Sequence, residues 1–378
     1  MAHLLRLDSR PAVFQRIFLT RGRKRNMNQN SYHYPPQQNG IYYHPQQPQQ
    51  PQQYLLQQQI KRDKAHEMTE ILTAGLALGA ALIATLVLQV IGVSFLQLSG
   101  KYELFEKSFL FQHSANIIIV DVIGLIIPFA VMSLLLKNRY TTPVIPREKV
   151  KFGVTVSWVG VGLAICMGAN FLTNFVIQVF KQFGYELTQF ETLKPNSVFE
   201  CILMIFSTAI VPAICEEFAM RCTALGALRK HGKAFAVVAV SIVFGLLHGN
   251  VIQFVFAFII GLILGYVTIV TDSVIPAMFI HGLNNGLSVF QDILAYAINS
   301  KNTQDLIVSI VMIAYIAAGV GGLIYLLVTK QFLPKKEVKQ PKPYKIHFLR
   351  KLVLLIPGLI LPFAILIYLT SKTIVPIS

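Results

Sequence analysis

The sequence predicts an all-α fold: a polytopic membrane bundle of about nine transmembrane helices behind a disordered N-terminal tail. Three observations carry this. The 378-residue chain is 54% hydrophobic and 13% charged, with a mean hydropathy of +0.57, whereas a soluble domain carries about 25% charged residues. A helix needs about 20 apolar residues to cross the hydrocarbon, and such stretches recur near residues 70–97, 114–136, 152–180, 196–228, 233–248, 251–270, 273–296, 305–328 and 348–371. Of 33 lysines and arginines, 26 fall in residues 1–64, 137–151, 229–233 and at the two ends of the 330–351 loop. Numbering nine helices in order puts all of these on one side. The opposite loops hold only Lys101, Lys107, Lys181, Lys194, Lys301 and Lys372. The positive-inside rule then places the N-terminus in the cytoplasm of a multi-pass cell-membrane protein and the C-terminus outside. Losing one helix would scramble the alternation, so count and charge support each other. Distributed in this way, the net charge of +16 points to membrane topology and not to nucleic acid.

Taken in order, residues 1–66 contain the tract PPQQNGIYYHPQQPQQPQQYLLQQQ, whose proline and glutamine cannot bury a core and predict disorder. No apolar signal-peptide core is present there. Arg21, Arg23, Lys24 and Arg25 make the first 26 residues either a basic membrane-surface or targeting arm, or sequence upstream of a start at Met27. Residues 67–195 supply the first three helices. Asp121, in IIIVDVIGLII, reads as a satisfied interior group, with a substrate path as the alternative. Asn170 and Asn174 share a helix face and suggest interhelical hydrogen bonds. Residues 301–378 supply the last two helices, joined by a basic, proline-broken loop at 329–347 expected to be solvated and to touch anionic lipid. Cys166, Cys201, Cys215 and Cys222 all lie in apolar stretches and read as small buried hydrophobes.

Residues 196–300 hold the chemistry. Glu216, Glu217 and Arg221 lie within an apolar stretch, where each ionisable group costs roughly 2.5 to 3.5 kcal/mol at the bilayer centre and needs a partner. Glu217 and Arg221 are four apart and predict an ion pair on one face. Glu216 is rotated by about 100° and is free to face a cavity. Pro212 removes a backbone hydrogen bond one turn earlier. Phe244 and His248 repeat the four-residue spacing, as do His281 and Asn285, so three helices each present polar groups from one face. Asn250 and Asn284 lie close to these positions, supporting them or simply sitting near helix ends. A carboxylate beside an imidazole can deprotonate a trapped water and later protonate a leaving amine. A second imidazole with a carboxamide can stabilise an oxyanion. The same Glu216, His248 and His281 could instead hold zinc. The hydrogen-bonding role is favoured for His281, because the usual orienting partners of a ligand are carboxylates or carbonyls and not a carboxamide. Counted from the 229–233 turn, Glu216 and His248 lie about 20 Å deep, and His281 counted from Ser273 about 12 Å. The helices must be staggered or the turn must dip.

The ordered set EExxxR at Glu216, Glu217 and Arg221, FxxxH at Phe244 and His248, and HxxxN at His281 and Asn285 resembles the CPBP family, also known as the Abi family. That family includes type 2 CAAX prenyl endopeptidases and bacteriocin-processing and immunity proteases, with lysostaphin resistance protein A-like members. The resemblance covers about residues 196–300. It implies that Glu216 and His248 activate water, that His281 and Asn285 form the oxyanion hole, and that Glu217 and Arg221 support them. The expected function is intramembrane endopeptidase, of glutamic type in preference to metalloprotease, acting on a peptide or membrane-protein substrate without a cofactor. Two other classes share the same residues: a non-catalytic membrane regulator, and a proton-coupled transporter, whose usual internal repeat is not evident.

Overall fold

A computed structural model describes residues 50–136, 150–188, 192–334 and 342–377. All nine apolar stretches are helical. The elements in chain order are α1 (Gln50–Leu98), a short α2 (Tyr102–Lys107), α3 (Phe109–Leu135), α4 (Phe152–Gln182), β1 (Tyr185–Leu187), α5 (Val198–His231), α6 (Lys233–Leu247), α7 (Val251–Thr271), α8 (Ile275–Ala297), α9 (Lys301–Val328), α10 (Phe348–Ser371) and β2 (Ile374–Pro376). Seven of the nine long helices, α1, α3, α4, α5, α7, α9 and α10, are long and apolar enough to cross a membrane. The other two are the motif carriers: α6 has 15 residues, about 22 Å at helical rise, and α8 carries His281, Asn284 and Asn285. The chain is a multi-pass membrane protein.

The expected tail boundary at residue 66 is too late, because α1 begins at Gln50. Beyond Pro51 the segment is rich in Gln, Leu, Lys and Arg, which are good helix formers, and its far end is tied to the rest of the molecule. The Tyr344 hydroxyl donates to the Asp63 carbonyl at 3.2 Å, and Lys342 pairs with Glu67 at 2.6 Å. The same contacts tie the end of the 329–347 loop to α1, with Lys342 still exposed to solvent. Arg21, Arg23, Lys24, Arg25 and Met27 lie outside the described residues.

Cross-contacts sort the helix ends into two groups. At one end Lys230 pairs with Glu70 at 2.7 Å and Arg229 with Asp272 at 2.6 Å, next to the Glu67–Lys342 pair. Asp272 has φ +49°, a left-handed turn that aspartate tolerates. At the other end Lys194 pairs with Asp292, and β1 runs antiparallel to β2. These groupings are those required by the alternation of nine helices.

Without a hydrophobic drive between helices in lipid, close approach through small residues carries the packing. A Cβ on Gly79 would lie 1.8 Å from the Gly358 carbonyl oxygen, so α1 and α10 touch backbone to backbone. Helix α5 starts on a Ser197 N-cap whose Oγ accepts from Glu200 N, and Glu200 Oε2 reaches back to accept from Asn196 N, one residue before the cap. Within α5, the α-helical turn Val211–Glu217 is flanked by π-helical segments at Ile205–Ile210 and Phe218–Leu225, and Pro212 opens that turn. Helix α3 has a π-helical stretch at Ile117–Ile126 that contains Asp121. Such bulges are frequent at functional sites.

Candidate active site

Glu217 and Arg221 are, at 0% and 1% exposure, among the most buried groups described, and approach to 3.1 Å. The contact is electrostatic, since none of the Arg221 Nε, Nη1 and Nη2 atoms has an aligned acceptor. The guanidinium instead lies over the Phe244 ring, 4.6 Å from its centroid. That stacking gives Phe244 a definite task in its motif, because a desolvated cation over an aromatic face contributes about 2 kcal/mol.

Glu216 points elsewhere, as the 100° rotation requires. With Asp121, His248, Phe244, Thr85 and Gln89 it lines a cavity of about 220 Å³ between α1, α3, α5 and α6. One of its oxygens, Oε2, is buried without a hydrogen-bond partner. His281 spans the two acids. Its Nδ1 is 3.0 Å from Glu217 Oε1, and its Nε2 is 3.7 Å from Glu216 Oε2. Glu216, Glu217, Arg221, Phe244 and His281 therefore converge, with the His281 ring edge-on to Phe244 at 5.8 Å.

His248 caps the C-terminus of α6 and is not mid-helix. Its Nδ1 lies 2.8 Å from the Phe244 carbonyl. A carbonyl only accepts, so Nδ1 carries a proton, and Nε2 is the nitrogen that can act as a base when the ring is neutral. Gly249, at φ +65°, turns the chain, and Asn250 fixes that turn. Its Nδ2 donates to the His248 carbonyl and to Gln253, while its Oδ1 accepts from Gln253 N. Irregular backbone at this depth is tolerated where it lines a cavity. Asn285 Nδ2 donates to the Thr208 carbonyl at 3.3 Å, which ties the HxxxN helix to α5, and Asn284 Nδ2 reaches Asn285 Oδ1 at 3.4 Å.

The apparent difference in depth between Glu216 and His281 is reduced locally. Between Glu216 and the basic turn lies the π-helical segment Phe218–Leu225; wider turns place more residues in each turn and advance less per residue.

Two sequence readings are corrected. Asp121 makes no hydrogen bond or ion pair among the described residues and faces the cavity, so it is not a satisfied interior group. Its signal was the one that singled out Glu216, an ionisable residue inside an apolar stretch, and Gln89 and Thr85 on α1 give a weaker form of it. Asn170 and Asn174 form no interhelical hydrogen bonds among the described residues, and Asn174 is exposed near the end of α4. All four cysteines are buried and free. For zinc, no group of three His, Cys, Asp or Glu side chains converges at ligand spacing among the described residues. His281 Nδ1 faces the Glu217 carboxylate and His248 Nδ1 the Phe244 carbonyl, the kinds of partner that orient a hydrogen-bonding or a metal-binding imidazole alike.

Neither a curated protein nor a solved structure matched the chain. Residues 198–287, from the start of α5 into α8, match the family described as Type II CAAX prenyl endopeptidase Rce1-like. The match contains all three motifs and stops short of α1, α3 and α4, so one wall of the cavity comes from helices outside it. The chain thus carries an Rce1-like type II CAAX prenyl endopeptidase domain, in keeping with the CPBP family that its motifs resemble.

Proposed function

We propose that the protein is an intramembrane endopeptidase of glutamic type, hydrolysing a peptide bond in a peptide or membrane-protein substrate. The observation that carries this is the joint placement of Glu216 and His248 on one cavity, with Glu217 and Arg221 paired beside it. In this reading Glu216 accepts a proton from a water held between it and His248 Nε2, and the hydroxide attacks the scissile carbonyl. The proton then passes to the departing amine.

His281 and Asn285 supply donors to the oxyanion. With Nδ1–H directed at Glu217, His281 can donate from Nε2 only when both nitrogens are protonated. By holding Nδ1, Glu217 becomes a positioning residue for His281 as well as the partner of Arg221. Asn285 must exchange its long bond to Thr208 for the substrate. The reading places the N-terminus and the basic loops in the cytoplasm of the cell membrane. Impermeant labelling of a cysteine placed at 340 from outside intact cells, in a cysteine-free background, would reverse that orientation.

The test of function compares membrane peptidomes of a wild-type strain and a Glu216→Ala strain. Precursors should accumulate, and their cut forms vanish, in the variant. Identical peptidomes, together with no hydrolysis by purified protein, would favour a non-catalytic regulator.

A further inference from the structure

The cavity wall supplied by α1 and α3 has a chemistry of its own. Asp121 from α3 and Glu216 from α5 face the same cavity, and no lysine or arginine is among the residues that line it. Arg221 lies behind Glu217 and Phe244 and does not reach the cavity. On the wall opposite α5, Thr85 is 1% exposed and its hydroxyl has no hydrogen-bond partner, while Gln89 adds a carboxamide beside it. Asp121 likewise forms no ion pair among the described residues. Acids within membrane helices pair with one another or mark a substrate path, and a buried charge without a partner is strongly destabilising. Among the described residues no lysine or arginine reaches Asp121, so the cavity has room for a cationic group.

We infer that Asp121, flanked by Thr85 and Gln89, is a specificity subsite for a cationic group of the substrate, a lysine or arginine side chain close to the scissile bond. The extended aliphatic stem of such a side chain suits the apolar part of the cavity, formed by Val120, Leu125 and Leu247, while its head meets the carboxylate and hydroxyl. Asp121 acts here by binding, and Glu216 remains the base. The subsite lies outside the matched domain, so it belongs to what this chain adds to the Rce1-like core.

The inference rests on the hydrolytic reading for its substrate, so the experiment has one arm that needs turnover and one that does not. In the first, purified protein cleaves an octapeptide library in which each position is fixed in turn as lysine or norleucine, which keeps the four-carbon stem and lacks the ammonium. Wild type should prefer lysine at one position by about tenfold or more in kcat/KM, the scale of one hydrogen bond to a charged group. Asp121→Asn should bring that ratio close to one, and Asp121→Glu should retain it. A ratio unchanged in Asp121→Asn overturns the subsite. In the second arm, n-butylammonium chloride, the lysine side chain cut at Cβ, is compared with 1-butanol plus potassium chloride at equal ionic strength. The ammonium should raise the melting temperature of wild type and not of Asp121→Asn; equal shifts in both proteins overturn the inference. If wild type cleaves no peptide, the hydrolytic reading fails and the ammonium arm alone decides whether Asp121 binds cations.

Discussion

The molecule contains two clusters built from the same residue types, glutamate, histidine and a cation, and they are finished differently. At the basic end Glu70 is met by Lys230 at 2.7 Å and Glu67 by Lys342 at 2.6 Å, with His231 Nδ1 3.6 Å from Glu67. Lys351 donates to the His231 carbonyl. Each acid there has its own cation at hydrogen-bonding distance, and the cluster ties α1 to the end of α5 and to the loop before α10. In the middle of the bundle, by contrast, Glu216 Oε2, Glu217 Oε2 and all three Arg221 nitrogens are buried without aligned partners. The difference teaches where to look for chemistry. Acids that each hold their own cation make a clamp, even with His231 Nε2 left unpaired beside a smaller cavity, whereas acids left under-satisfied in the bundle retain capacity for a substrate, and unsatisfied buried groups in native structures call for such an account.

The largest effect that would sharpen this contrast comes from Glu216→Gln. Its turnover should fall by about 10²- to 10⁴-fold, the usual contribution of a positioned acid or base, with little change in melting. Wild-type hydrolysis by the purified variant would remove Glu216 as the base and leave the two clusters functionally alike.

Next in size is the pair beside it. Arg221→Met should cost about 3 to 5 kcal/mol, because Glu217 is left buried without its charge partner, and the stacking on Phe244 is lost as well. The double variant Glu217→Gln with Arg221→Met should melt higher than Arg221→Met alone, since no uncompensated charge remains. Because Glu217 also holds His281, the double variant should still be slow. Full turnover at restored stability would show that the Glu217–His281 contact has no part in the reaction.

Glu67→Gln tests the clamp. Lys342 is 54% exposed, and ion pairs open to solvent contribute at most about 1 kcal/mol, so thermal unfolding should shift slightly and hydrolysis should stay within about twofold. A loss of turnover comparable with that of Glu216→Gln would erase the distinction between the clusters.

The smallest effect expected is that of chelation. Because Glu216, His248 and His281 do not converge as a ligand set, activity in detergent should be unchanged after treatment with a chelator. Loss that is restored by stoichiometric zinc would make His281 a ligand and reject the hydrogen-bonding role.

Much of this molecule was legible as a string of residues. Helical stretches and loop charge are local properties, so the nine helices and the two families of loops followed from hydropathy and the placement of Lys and Arg. The separation of Glu216 from Glu217 followed from 3.6 residues per turn, and the four-residue spacings placed Arg221, Phe244 and Asn285 on the faces they occupy. The start of α1 at Gln50 was missed because proline and glutamine content outweighed contacts that arrive from Lys342 and Tyr344, far along the chain. The attachment of His281 to Glu217, the seat of His248 on a turn and the arrival of Asp121, Gln89 and Thr85 at the same cavity were decided by tertiary structure alone. Periodicity fixes which way a side chain points from its own helix. Which helix it then meets, and at what height, depends on interhelical packing through residues such as Gly79 and Gly358 and on the π-helical turns of α3 and α5, which shift register by amounts that no spacing in the sequence encodes.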